Sequence, residues 1–498
     1  MTKTTDTAEA AARSDAQPTT GGTGVIWLLL GAAFVTLLNE TVMGVAIPHL
    51  VTDLGVTLNV AQWTTTAFML TMAVVIPTTG YLLKRLTTRQ VFLLAMSLFT
   101  AGTLLGALAP EFSVLIVARV IQASGTAMMM PLLMTTIMTV VPEHARGRFM
   151  GRITIVMAVA PALGPTLSGF ILSTLTWHFL FWIILPVAIA MMIIGALRLR
   201  NIGEQSHSPL DWPSLPLSAL GFGGLVYGFS TLGSGSPETI PQALAALAVG
   251  VLSLGLFIWR QLVLQRGDRA LLDLRVFRSR SFSLAVGLVV VMMAAMFGSI
   301  ILLPIYLQNV LQLDSVTTGM MLLPGGLAMG LAAPFVGRLF DRFGPRPLVI
   351  PGALIASAVL WSLTQLNETS PAWFVLLGHM GLSLGVAMMM TPLLTSALGS
   401  LSPQLYSHGS ATVGAIQQVA GAIGTALFIT VLSLGTVAAA GGGATPVVAQ
   451  ADGVSTAFFA GAVLSLVAVV GSWFVKNPAP RQAPASTEAP AAPATTDA

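Results

Sequence analysis

The fold class this sequence predicts is an all-α membrane protein of fourteen transmembrane helices, and three observations carry it. Hydrophobic residues make up 55% of the 498 and charged residues only 8%, where soluble domains hold about a quarter charged. Apolar runs near the roughly 20 residues needed to cross about 30 Å of hydrocarbon recur fourteen times. Lys and Arg fall in alternate gaps between those runs. The net charge of +4 could suggest a nucleic-acid partner, but that needs basic residues clustered on one solvated face, and here they punctuate apolar stretches.

Taken in order, the runs are 25–47, 63–83, 91–109, 113–138, 152–172, 177–197, 213–233, 240–262, 281–303, 316–338, 347–365, 371–394, 410–434 and 453–475. Cytoplasmic loops hold the excess of Lys and Arg. If fourteen helices alternate, all but one of the 22 basic residues fall on the side of both termini, which are therefore expected in the cytoplasm. The exception is Arg119, inside the fourth run. Residues 1–24 are polar and lack a basic-then-apolar signal pattern, so they read as a disordered cytoplasmic tail and the first run as retained. The Pro/Ala/Thr stretch 477–498 reads as a second disordered tail. There are no cysteines, which excludes disulfides, thiolate metal sites and cysteine nucleophiles.

The chain repeats itself. Arg119, Gly125 and Met128–Pro131 of the fourth run are matched 260 residues later by His379, Gly385 and Met388–Met390 with Pro392 close by. The same offset aligns Pro161-Ala162-Leu163-Gly164 with Gly421-Ala422-Ile423-Gly424, and an offset of 257 aligns Gly80–Arg89 with Gly337–Arg346. The spacing predicts two six-helix bundles, 25–200 and 281–476, separated by a two-helix insert with cytoplasmic flanks at 201–280. Parallel halves are a transporter architecture with the substrate site near the midplane between them.

These residues resemble the major facilitator superfamily, and its fourteen-helix drug:proton antiporter branch in particular. In that family the loop after helix 2 carries Gly-x-Leu-Ala-Asp-Arg-x-Gly-Arg. Here the first copy keeps Gly80, Arg85 and Arg89 but has Lys84 for the Asp and Thr87 for the Gly; the second keeps Gly337, Asp341, Arg342, Gly344 and Arg346. The second copy is thus the expected cytoplasmic latch. The antiporter motif of helix 5 appears as Gly151, Ala160, Gly164, Pro165, Ser168 and Gly169, small at nearly every position. Asn39-Glu40-Thr41, Ile76–Gly80, Gln122–Ala127 and Ala160–Gly169 look like the lincomycin-resistance-type exporters. The resemblance implies the major facilitator fold in a bacterial cytoplasmic membrane, exchange of amphipathic small molecules for protons, no cofactor, and a monomer as working unit.

Glu40 is the leading functional residue. A lone carboxylate in hydrocarbon costs about 2.5 kcal/mol or more, so it is retained where it pairs, faces water or carries a proton. Glu40 and Arg119 lie at similar depth, roughly 10 Å below the outer boundary. Glu40 reads either as the coupling-proton carrier, its affinity set by burial against the charge of Arg119, or as half of a fixed ion pair. Arg119 reads as brace or as modulator. Asn39, Gln122, His379, Gln417 and Gln418 are polar groups that hydrocarbon penalises, and they either line a cavity or bond between helices. The small residues of helix 5 predict a close seam, expected against Gly421 and Gly424. Met128–Met130 and Met388–Met390 suit varied ligands or simply fill the core. Trp63, Trp177, Trp361 and Trp373 fall at the predicted interfaces as membrane anchors.

No P-loop, His-Glu-x-x-His or Gly-x-Ser-x-Gly pattern is present. The expected function is a proton-coupled antiporter exporting drug-like molecules by alternating access, not an enzyme. The alternative is a proton-coupled exporter or importer of a native metabolite on the same fold.

Overall fold

The computed structural model describes residues 20–199, 201, 209–232 and 237–476; the tails expected at 1–19 and 477–498 lie outside them. Fourteen helices long and apolar enough to span a membrane are found among the described residues. They are α1 (Thr20–Leu54), α2 (Trp63–Arg85), α3 (Thr88–Ala107), α4 (Phe112–Val140), α5 (Arg146–Leu172), α6 (Phe179–Arg198), α7 (Ser214–Leu232), α8 (Ile240–Leu264), α9 (Arg280–Ile305), α10 (Ser315–Phe343), α11 (Arg346–Leu363), α12 (Ala372–Gly399), α13 (Tyr406–Gly441) and α14 (Pro446–Ser472). Several exceed their predicted runs by a few residues because polar caps lie outside the apolar stretch. Thr87 and Gln90 form a reciprocal capping box at the start of α3, and Asp314 accepts from Val316 and Thr317 to start α10. Helix α1 starts five residues before the predicted run and so takes in residues 20–24, expected as tail.

Glycine sets how closely the helices pack. On α4, Gly125 lies against the backbone of Ala95 and Phe99 of α3, and its repeat mate Gly385 on α12 lies against Gly352 and Ala356 of α11. The repeat seen in the sequence is therefore the same helix crossing made twice. Helices α1–α6 and α9–α14 meet through α5 on α10 and through α2 on α13. The repeat maps α5 onto α13 and α2 onto α10, so these are one contact seen twice about a pseudo-twofold axis. Gly421 and Gly424 do not serve as the expected seam partner of α5; they pack on Phe297 and Ala294 of α9. Repeat mates occupy equivalent places in different halves, which is why they do not touch.

The insert, α7 and α8, packs its own glycines Gly221, Gly224 and Gly250 together, and α7 lies along both α2 and α13. Asp211 ahead of α7 is held by Arg260 of α8 through two bonds of 2.7 Å and accepts from Ser214. The Arg260 bond holds its carboxyl below the usual carboxylate value. A carboxyl with a lowered folded pKa adds stability that is present above the unfolded value of about 3.9 and is lost as pH falls through the folded one. Amide protection at the start of α7 should therefore be lower at pH 3 than at pH 7. Arg260→Gln should flatten that difference in hydrogen exchange; an unchanged profile contradicts the pair's role.

Trp63, Trp361 and Trp373 are exposed on helix ends as expected for anchors, but Trp177 is buried, stacked on His178 with ring centroids 3.7 Å apart. His178 in turn bonds the Ala109 carbonyl, so Trp177 closes a turn of the bundle rather than meeting lipid. Met128, Met129, Met389 and Met390 are buried in the cores of the two halves.

Candidate functional site: the buried arginine of α4 and the acid of α1

Arg119 is completely buried, and its surroundings explain how. Its Nε donates to the Thr64 carbonyl of α2 at 3.2 Å, and one terminal nitrogen donates to Asn39 Oδ1 of α1 at 3.0 Å and to Gln122 Oε1 at 2.7 Å. Phe68 lies beneath the guanidinium, 4.1 Å from its ring centroid. Gln122 passes the network on to Thr103 of α3 at 2.8 Å. That step exists because Gly102, next to Thr103, brings α3 against the backbone of Ala118 and Gln122, where a Cβ would come within 2.5 Å of the Gln122 nitrogen. Thr103 and the Thr64 carbonyl carried no signal in the sequence, since a threonine in an apolar run is ordinary.

The fixed ion pair that the sequence left open is not made: no salt bridge joins Arg119 to Glu40 among the described residues, and the α1 group that Arg119 binds is Asn39, while one terminal nitrogen of Arg119 has no partner and Glu40 lies within its electrostatic range. Asn39 and Gln122 are buried to 1% exposure or less, so they hold the arginine rather than line a cavity. Glu40 stands about 100° further round the helix. Thr41, the next step, packs on Gly164 of α5. Glu40 is thus placed between the side of α1 facing α4 and the side facing α5; it is partly exposed and has no hydrogen-bond or ion-pair partner among the described residues. Arg119→Lys should cost about 1–3 kcal/mol, because an ammonium cannot reproduce the planar fork and leaves a buried acceptor unmet. Thermal unfolding in detergent checks this; unchanged stability contradicts it.

In the other half, His379 on α12 lies against Gly325 of α10 and bonds the Leu322 backbone, with Nδ1 unpartnered. It thus repeats the reach of Arg119 toward α2. Gln417 and Gln418 of α13 are half-buried, and the Gln417 amide nitrogen has no partner.

The helix 5 motif divides between two neighbours. Ala160, Gly164 and Ser168 share one buried stripe, with Gly164 meeting Thr41 of α1. Gly151 meets the Ala333 backbone of α10, while Pro165 and Gly169 are exposed. The seam with α10 continues through Ala162 on Gly326 and Gly147 on Gly337. It ends at Asp341, whose carboxylate accepts from the first amides of α5, Gly147 at 2.7 Å and Arg148 at 3.0 Å, and from the Arg148 side chain. An anion at a helix N-terminus is favourable by charge and by satisfying free N–H groups. Hydrogen bonds Thr154–Thr391 and Thr135–Ser410, both 2.8 Å, also tie the halves together toward this end.

A model of the Major Facilitator Superfamily matches residues 29–425. The chain belongs to that family of membrane transporters. It is 43% identical over 458 residues to the uncharacterized MFS-type transporter YcnB of Bacillus subtilis, covering 91% of this chain and 95% of that one. It is 40% identical to the lincomycin resistance protein LmrB of Listeria monocytogenes, with 91% and 96% covered. To the multidrug resistance protein B homolog of Mycobacterium tuberculosis it is 31% identical, with 81% and 74% covered. Among solved structures, the human organic anion transporter MFSD10 superposes with a TM-score of 0.65 at 16% identity, covering 92% of this chain and all of that one. The proton:xylose symporter XylE gives 0.64 at 14% identity, covering 93% and 97%. Both share the fold.

Proposed function

We propose that this transporter exports amphipathic, drug-like small molecules in exchange for protons, by alternating access and as a monomer. Both termini and the Asp341 latch lie in the cytoplasm of a bacterial plasma membrane, and the proton gradient is the drive, with no cofactor. The observation that carries the reading is Glu40: the one acid deep in a span, partly exposed, beside a buried arginine that hydrogen-bonds Asn39 and Gln122 rather than this carboxyl. Being partly exposed and bonded to no fixed partner, such a carboxyl can take up and release a proton. The names of the relatives, lincomycin resistance and multidrug resistance, support the substrate class. Two intramembrane positive charges on one drug would find a single acid, which disfavours dications.

The test is transport in proteoliposomes of known orientation under an imposed pH gradient, with lincosamides, dyes, quaternary ammonium compounds and quinolones as cargo. Gradient-dependent movement of at least one class, with proton flux in the opposite direction, supports the reading. Movement of drug and proton in the same direction contradicts it.

A further inference from the structure

The family latch is made once with an acid and once without. In the copy at α10, Asp341 meets the first amides of α5. The repeat offsets place Lys84 of α2 where Asp341 stands, and Ser407 and His408 of α13 where Gly147 and Arg148 stand. The backbones do repeat. A Cβ on Gly337 would come within 3.1 Å of the Arg148 Cα, and one on Gly80 within 3.3 Å of the His408 Cα. The charge does not repeat, because a lysine ammonium at a helix N-terminus has the wrong sign for the dipole.

An acid reaches this place from another part of the chain. After α8, the amides of Leu271 and Leu272 donate to Gln261 Oε1 at 2.8 and 3.3 Å. Their side chains are buried in one cluster with Ile76 and Tyr81 of α2 and Ala411 and Ala415 of α13. The connection thus crosses beneath the contact between the halves. The next residue, Asp273, is 2% exposed, as is His408, whose Nδ1 has no partner. Arg275 bonds both Asp273 oxygens, at 2.9 and 3.0 Å from its Nε, and also pairs with Asp268. Burial pushes the Asp273 carboxyl up, but the Arg275 bonds outweigh it and the net shift is downward, so Asp273 is ionised at neutral pH. Lys84 lies within electrostatic range of Asp273, Asp268 and Arg275, and His408 within range of Lys84, Asp273 and Arg275.

We propose that Asp273 is the acid of the second latch, supplied by the connection between the insert and α9 in place of the one that α2 lacks. Held by Arg275, it offsets the charge of Lys84 beside the N-terminal turn of α13, and so lets α2 and α13 lie together when this end is closed. Asp273 is a positioning residue that touches no cargo. This also gives the insert a purpose: α7 lies along α2 and α13 while its trailing segment fastens them.

The inference rests on alternating access, but its test needs neither drug nor proton. The chain has no cysteine, so spin labels can be placed at His144 and Gln404, exposed positions one repeat apart on the two halves at this end. In the full-length protein, Asp273→Asn should shift the distance distribution toward longer separations, because Lys84 then faces the N-terminal turn of α13 unopposed, and adding Lys84→Gln should reverse part of that shift. Adding Lys84→Asp to Asp273→Asn puts the acid back on α2, as in the Asp341 copy, and should restore the parent distribution. A purely structural role for Asp273 would not be rescued by a charge on another helix. Distances unchanged in Asp273→Asn, or an Asp273→Asn/Lys84→Asp variant no closer to the parent than Asp273→Asn, would overturn the proposal. If Asp273→Asn alone does not fold, the two double variants decide: a shorter separation with Lys84→Asp than with Lys84→Gln supports the latch, and equal separations overturn it.

Discussion

Glu40→Gln is expected to reduce export driven by a pH gradient to the level of a transport-dead control, while the protein folds normally and still binds cargo. Glutamine keeps the size and hydrogen-bonding reach of the acid and removes only its ability to ionise. Folding should largely tolerate the change because no salt bridge joins Glu40 to Arg119 among the described residues: the guanidinium is held by Asn39, Gln122 and the Thr64 carbonyl, although one terminal nitrogen has no partner and Glu40 is the acid within its electrostatic range. A fixed ion pair would behave differently, since removing one partner leaves a buried charge unmet at a cost of roughly 3–5 kcal/mol. Stability and coupling are therefore separable readouts at this position. Glu40→Asp keeps a titratable group on a shorter arm and should retain part of the coupling. The measurement is cargo efflux and proton uptake in the same proteoliposomes, with unfolding temperature measured in parallel. Undiminished coupling in Glu40→Gln sinks the proton-carrier role.

The number of helices and their repeat were legible in the sequence because hydrocarbon imposes a length and charges cannot be hidden inside it. Depth along a helix was legible for the same reason, and it put Glu40 and Arg119 at one level. Azimuth was not. A step of one residue turns a helix by about 100°, and that step decides that Asn39, not Glu40, meets the arginine. Partners across the halves were misread in a similar way: the repeat pairs α5 with α13 by equivalence, while contact pairs α5 with α10. Trp177 shows the limit of a rule about interfaces, since a tryptophan at the right depth can still face inward and stack on His178. Asp273 was beyond reach for another reason. It is carried by a connecting segment, and only the burial of Leu271 and Leu272 between α2 and α13 brings it to the latch.

Gly337→Val is expected to leave each half folded and to prevent the latch end from closing. A Cβ at this position would collide with the Gly147 carbonyl and reach 3.1 Å from the Arg148 Cα, both of them backbone of α5 and unable to rotate away. The two helices must then separate, and Asp341, one turn along α10, is carried off the α5 amides it holds. Overpacking of a well-packed contact costs about 1–3 kcal/mol. On the proposed alternating access α5 and α10 part when this end opens, so that cost falls on the closed end alone. An equilibrium moves tenfold for each 1.4 kcal/mol or so, so the variant should favour the open end by about five- to a hundredfold. Labels at His144 and Gln404 should report longer distances, and export should fall with that population. Gly169→Val is the control on the same motif: Gly169 is exposed, with nothing near its Cβ position, so distances should stay those of the parent. Equal effects from the two substitutions would show that the helix 5 glycines act through general helix flexibility, and the seam account would fail.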